Sequence, residues 1–439
     1  MKKITVILGL FLWNSVSFAQ INFPIQASKD GHYFIDNAQK PVFLCGDTPW
    51  QLIVDLKKSE AEEYFEARKK QGYNAILVDI LSEEKEIKQV DCQCNPFGKE
   101  NFVDMNEAYF DHAEWVVQTA QQKGFVVLLT VAYWGCCSDE EGWRNELIAT
   151  TSLPVLEKYG AYLGKRFAKF KNLIWVLGGD ASKGKEKFEA IQEGIRSQDP
   201  KSVFTYHTRE DELASEHHID LTYNGVYAYT SDRIYRLTER GYMVKKTMPI
   251  IYTEGFYDDL IGSGFHGWNW TPTMQSHFIH HQMYTFLLSG GLGGFINGHL
   301  KMWSFPNNWR EYINGTNSPA MIYFYEFVNR IKWWTLQPDF DQSKNSVISS
   351  NRGKYGGSQY IPVATSKADG LLIAFIPATS DGSQRTFTIN YAKFKPKSGY
   401  WLNPANGQRE VMQSIPANGT FTAPRREGTT SDWVLVLQK

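Results

Sequence analysis

Eight short apolar runs, each followed by an amphipathic stretch, constrain this chain more than any other feature. The runs cover residues 41–47, 74–80, 125–131, 173–177, 202–206, 219–224, 249–253 and 293–297. Between them, helical periodicity and stop signals place helices at 59–71, 106–123, 152–170, 185–197, 210–217, 231–244 and 273–289. Gly72 and Gly124 mark two helix ends, and Pro154 marks a start. Most of the runs are continuously apolar at their centres rather than alternating, the pattern of strands buried on both faces. Eight such strands with helical crossovers fit a closed α/β architecture, a (β/α)8 TIM barrel, better than an open sheet.

After Asp339 the pattern changes. Residues 345–439 alternate, as in Leu371 to Phe375 and Thr386 to Ile389. Turn pairs recur at Asp369-Gly370, Asp381-Gly382, Asn406-Gly407 and Asn418-Gly419. This predicts a small all-β sandwich. The 439 residues thus divide into 1–19, a barrel over 20–340 and a β domain over 341–439. Residues 1–19 carry Lys2 and Lys3, an apolar run to Trp13, and Ser17-Phe18-Ala19. That is the form of a signal peptide cut near Ala19, so the protein is expected to be exported, periplasmic or extracellular. The apolar run is far short of the roughly 20 residues that span a bilayer, and no later segment reads as membrane-spanning.

The formal net charge of −1 offers no basic face for nucleic acid. The chain has 14 Trp and 23 Tyr, and aromatic rings pack against the flat C–H faces of sugars, although large barrels also use them as core filler. Five cysteines are present. Cys45 sits in an apolar run and reads as a buried thiol. Cys92, Cys94, Cys136 and Cys137 lie in two loops, and the expected pairing joins one loop to the other. Their spacing is a poor match to a zinc site. The histidine pairs His217-His218 and His280-His281 have no chelating spacing, so no metal or other cofactor is expected.

In such a barrel the site lies at the C-terminal ends of the strands. The residues found there are Asp47 and Trp50, Asp79, Tyr133 and Trp134, Asp180, His207, Asn224 and Tyr227, Glu254, then Asn297 and Trp303. Carboxylates, amides and aromatics on one rim suit a polyhydroxylated partner, an oligo- or polysaccharide. Asp180 and Glu254 end strands on opposite sides of the mouth. Cleavage of a glycosidic bond needs such a facing pair, one to protonate the leaving oxygen and one to attack or to activate water. Asp47, Trp50, Tyr133, Trp134, His207, Asn224, Tyr227, Asn297 and Trp303 are candidate substrate contacts. A barrel that binds glycan without turnover is the alternative, and the presence of both carboxylates counts against it.

Several stretches resemble one known group. They are Phe43-Leu44-Cys45-Gly46-Asp47-Thr48-Pro49-Trp50, Asn172-Leu173-Ile174-Trp175-Val176-Leu177-Gly178-Gly179-Asp180, Pro249-Ile250-Ile251-Tyr252-Thr253-Glu254, Tyr400-Trp401-Leu402-Asn403-Pro404 and Asp432-Trp433-Val434-Leu435-Val436-Leu437. With these the chain resembles the apiosidase-like barrel hydrolases of Bacteroidetes, in which a collagen-binding-type β domain follows the barrel. The resemblance implies a retaining mechanism, with Asp180 as acid/base and Glu254 as nucleophile. It also implies release of apiose-type furanosides from plant cell-wall side chains. The chain departs from the family pattern at Tyr206 to Arg209, at Gly255 to Tyr257 and at His280-His281.

Overall fold

The computed structural model describes residues 20–84, 88–136, 141–147, 152–217, 220–260, 272–315, 318–379, 382–425 and 431–439. Eight parallel strands form one sheet: β1 (Leu44–Asp47), β2 (Ala75–Asp79), β3 (Val126–Thr130), β4 (Leu173–Gly178), β5 (Phe204–His207), β6 (Asn224–Tyr227), β7 (Ile250–Glu254) and β8 (Gly294–Ile296). The ladder runs from β5 back through β1, then on to β8, β7 and β6. It closes where Thr222 N–H donates to Phe204 O at 2.9 Å. The barrel and the β domain expected from the sequence are therefore both present.

Alternation along each strand divides the apolar residues between two cores. Ala75, Leu77, Val126, Leu128, Ile174, Val176, Ile251 and Ile296 fill the barrel interior. Their neighbours Ile76, Val78, Val127, Leu129, Trp175 and Leu177 face the surrounding helices. This is why most of the runs read as continuously apolar at their centres. Three two-residue strands near the N-terminus, Gln26–Ala27, Phe34–Ile35 and Pro41–Val42, form a separate sheet. It plugs the barrel bottom, where Phe34 packs edge-on against Tyr223.

Strand β6 lies later than expected. The strand was expected over 219–224, but residues 222–223 only close the seam, and Asn224 begins the strand that pairs with β7. The final crossover, the helix Ser318–Arg330, was not among the expected helices, because the short 3-10 turns Leu300–Met302 and Trp309–Glu311 separate it from β8.

The β domain packs a six-stranded and a three-stranded antiparallel sheet. Its strands are β9 (Gln337–Pro338), β10 (Ile348–Ser350), β11 (Val363–Ser366), β12 (Leu371–Ile376), β13 (Thr386–Ile389), β14 (Ser398–Leu402), β15 (Arg409–Val411), β16 (Thr420–Thr422) and β17 (Trp433–Gln438). The larger sheet has the order β9-β11-β12-β17-β14-β15, and the smaller β10-β13-β16. In β12, Leu372, Ala374 and Ile376 enter the sandwich core. Leu371, Ile373 and Phe375 face the barrel. Phe375 stacks on Tyr284 of the helix Pro272–Leu288, with ring centroids 5.6 Å apart. Below it, Asp432 bonds His277 Nδ1 at 2.8 Å and His280 Nδ1 at 3.3 Å from the same helix.

The cysteine expectation is corrected. Cys92 bonds Cys94, with Cα atoms 5.2 Å apart, rather than reaching the second loop. Gln93 between them adopts a φ of +52°, which turns the chain back on itself. Cys136 is also in a disulfide, and Cys137 lies outside the described residues. Cys45 is a buried free thiol, as expected.

Candidate active site

Asp180 is held by a turn that few sequences can follow. Gly178, Gly179 and Asp180 have φ values of +82°, +128° and +52°. A Cβ on Gly179 would lie 2.4 Å from the Tyr133 ring and 2.7 Å from Trp134 N, so only glycine fits. The turn is clipped on both sides: Trp134 N–H donates to Gly178 O at 3.1 Å, and Gly179 N–H donates to His207 O at 2.9 Å. Aspartate is among the few other residues that tolerate the left-handed region.

His207, the last residue of β5, stands between the carboxylates. Its Nε2 lies 2.7 Å from Asp180 Oδ1 and 3.0 Å from Glu254 Oε2. Burial disfavours the imidazolium, but hydrogen bonds and charge from Asp180 and Glu254 outweigh it and hold the pKa up to about 10. The two acids thus favour the protonated ring, and its Nε2 faces both of them. Tyr227 stacks on it at 5.1 Å, and Trp50 meets its edge at 5.8 Å.

Glu254 ends β7. Its Oε1 accepts from Tyr257 OH at 2.9 Å and from Tyr229 OH at 3.4 Å. The Trp50 indole N–H in turn donates to Tyr257 OH at 2.8 Å. Burial first, then the Asp180 charge, push the Glu254 pKa up, against the hydrogen bonds from His207 and Tyr257. One oxygen of each carboxylate and a ring nitrogen of His207 lie within 4.8 Å of one another. Such a trio has the donor types of a cation site, but Nε2 of His207 already serves both carboxylates.

A second acidic pair adjoins the first. Asp79 accepts from Thr130 Oγ1 at 2.5 Å and hydrogen-bonds Glu83, and burial raises its pKa to about 7. Glu83 Oε1 accepts from the Trp303 indole at 3.0 Å. Tyr133 OH lies between Asp180 Oδ2 at 3.0 Å and Glu141 Oε1 at 2.8 Å, and can donate to one at a time.

Of the residues chosen from sequence, Asp180, Glu254, His207, Trp50, Tyr133, Tyr227 and Trp303 converge on this mouth. Four do not. Asp47 is fully buried and accepts from Arg68 Nε and Tyr64 OH, both at 2.6 Å, so it anchors the helix Lys58–Lys70 to β1. Trp134 turns outward: a Cβ on Gly184 would sit 2.0 Å from its ring. Neighbours in extended chain point to opposite sides, so Tyr133 and Trp134 cannot both face the mouth. Asn224 starts β6 at the far end of the barrel, where its Oδ1 accepts from Ser215 N–H. Asn297 is buried and donates to Phe256 O at 3.1 Å, tying β8 to the loop after β7.

Sequence reasoning missed Tyr229, Tyr257 and Glu83. Tyr229 stands two residues after Tyr227, and Tyr257 three after Glu254, so both were within reach of the strand-end argument. Glu83 lies in a loop with no pattern to single it out.

This barrel, with two carboxylates facing across its mouth, is of the glycoside hydrolase class. The chain belongs to the apiosidase-like family, whose model, "Apiosidase-like, catalytic domain", matches residues 28–335. A second model, "Putative collagen-binding domain of a collagenase", matches residues 344–438. Among solved structures, one described as a glycoside hydrolase is 20% identical with a TM-score of 0.77, covering 95% of this chain and 97% of its own. A glycoside hydrolase family 5 protein from Bacteroides vulgatus ATCC 8482 is 19% identical with a TM-score of 0.77, covering 95% and 94%. At these identities the likeness speaks to the fold. No curated protein matches the sequence.

Proposed function

We propose that the protein is an exported, retaining glycosidase that removes apiose-type furanosyl units from plant cell-wall side chains. One observation carries the mechanism: oxygens of Asp180 and Glu254 approach within 4.8 Å across His207. Retaining enzymes hold their carboxyl groups about 5–5.5 Å apart, whereas inverting ones leave about 6.5–9.5 Å for a water. The family membership supports the sugar.

In this reading the reactive state has Asp180 protonated and Glu254 ionised. Glu254 attacks the anomeric carbon as the C–O bond breaks, and Asp180 gives its proton to the departing oxygen. Asp180, now a carboxylate, then takes a proton from the water that cleaves the glycosyl ester, which restores both groups. The hydrogen bond from Tyr257 keeps Glu254 aimed, and the His207 cation stabilises whichever carboxylate is ionised.

The test is to follow hydrolysis of 4-nitrophenyl β-D-apioside by proton NMR, alongside product analysis on pectic oligosaccharides. The first-formed sugar should keep its anomeric configuration, and the inverted anomer would overturn the mechanism. Export predicts a mature N-terminus at Gln20, read by mass spectrometry of the protein recovered outside the cytoplasm.

A further inference from the structure

Beside the two carboxylates, the mouth opens into a cavity of about 440 Å3 lined by Gln51, Glu83, Glu84, Lys301, Trp303 and Ser304, among others. Asp180 and Glu254 do not line it. Trp303 is the partition between the two spaces. Its ring stacks on Tyr257 with centroids 5.6 Å apart and leans against Trp50 at 6.4 Å. The hydrogen bond from its indole N–H to Glu83 fixes the plane of the ring.

Gln51 gives the second observation. Its backbone N–H donates to Trp303 O at 3.0 Å, and the residue is 4% exposed. Its side-chain Oε1 is buried with no hydrogen-bond partner among the described residues, and other atoms of the residue border the cavity. Buried amides are almost always satisfied, so the Gln51 amide, which borders the cavity, is available to turn toward a ligand there.

We propose that this cavity is a second sugar subsite, which holds the glycosyl unit next to the one being cleaved. Trp303 supplies the stacking face, and Gln51 and Glu83 meet the hydroxyls. The inference rests on Asp180 and Glu254 being the reaction centre. The volume falls within the roughly 300–1,000 Å3 of small-molecule sites. The lining joins one aromatic face to a ring of amide, carboxyl, hydroxyl and ammonium groups, the composition a sugar ring requires. Burial, and next the charge of Asp79, push the Glu83 pKa well above the carboxylate range. A neutral carboxyl can both donate and accept, which suits hydroxyls. The occupant is a pentosyl or hexosyl unit, and the enzyme recognises at least two linked sugars.

Ser304 is exposed at the cavity rim, so Ser304→Trp should fill the space from the solvent side without disturbing the core. Glu83→Gln keeps the shape and alters the hydrogen bonding. The measurement compares kcat/KM on 4-nitrophenyl β-D-apioside with that on a pectic oligosaccharide ending in apiose. Ser304→Trp should cost the oligosaccharide at least about tenfold more than the aryl glycoside, chiefly through KM, and Glu83→Gln should cost it more by a smaller margin. Equal losses on both substrates, or none on either, would overturn the subsite. If the wild type cleaves neither substrate, the apiose reading fails separately. The subsite is then decided by ligand-observed NMR with a neutral plant-glycan oligosaccharide mixture. Oligosaccharides bound by the wild type and lost in Ser304→Trp support it, and an unchanged or empty set of binders refutes it.

Discussion

Nε2 of His207 lies 2.7 Å from Oδ1 of Asp180, closer than it lies to Glu254. The last residue of β5 and the acid/base candidate two residues beyond β4 are therefore hydrogen-bonded to each other. Replacing the imidazole with an uncharged group removes the cation from between two buried acids. His207→Gln should lower kcat/KM on the aryl apioside by about 100-fold or more. It should also move the acidic limb of the pH profile upward, because one carboxyl must then hold a proton. A profile that superimposes on that of the wild type would show that His207 only fills space.

The same residue ties stability to pH. Its folded pKa of about 10 lies above the ordinary value of 6.5. Its contribution is thus fully present below about pH 6.5 and is lost as pH rises through about 10. Thermal melts should show the wild type losing more Tm between pH 8 and 10.5 than His207→Gln does.

Asp180→Asn and Glu254→Gln should each abolish turnover of natural glycans with little change in Tm. They should differ with azide. The Asp180 variant should regain activity on a substrate with a good leaving group, because azide attacks the glycosyl ester without a base. Rescue of the Glu254 variant with retention instead would reverse the two roles.

Gly179→Ala tests the turn that delivers Asp180. The added methyl group meets Tyr133 at 2.4 Å at a φ of +128°. A cost of about 1–3 kcal/mol is expected, with a fall in kcat. A variant with wild-type Tm and kcat would show that the turn relaxes freely.

On acidification the barrel and β domain should separate first at the seam where His277 and His280 meet Asp432. His281 is pushed down to about 3 by burial first and then by His277. Between about pH 6.5 and 3 the unfolded chain binds a proton that the folded chain refuses, so stability falls on acidification, by at most about 1.4 kcal/mol per pH unit. His277 works the other way: its raised pKa, held up by Asp432 against burial, gives stability that is lost as pH rises through it. Asp432→Asn, which strands two histidines, should cost about 3 kcal/mol. Hydrogen exchange at pH 5 against pH 7 should show β12 opening before β2 and β3; uniform exchange would argue against a seam.

The barrel was legible because its strands face apolar cores on both sides and glycines such as Gly124 end its helices. The site was legible because catalytic groups gather at strand ends, which led directly to Asp180, His207 and Glu254. Position along the chain does not fix direction, however. Asp47 ends β1 but turns to Arg68, and Trp134 follows Tyr133 but points the opposite way. The reading of β6 slipped because the strand opens on Asn224-Gly225, a pair that reads as a turn, and with it Asn224 was placed at the wrong end. The Cys92–Cys94 closure depends on the left-handed turn at Gln93, which spacing alone does not reveal.

Strand β17 sits in the middle of the larger sheet, between β12 and β14, yet it follows every other strand in the chain. Its Val434 and Val436 also help cover the barrel helices. During synthesis the barrel emerges first, and the sheet whose Phe375 covers Tyr284 lacks its central strand until residues 433–438 leave the ribosome. A transcript cut short before that point would yield a finished barrel with a sticky flank, a natural target for chaperones and proteases. The flank of the barrel is thus closed only once the strand made last among the described ones takes its place.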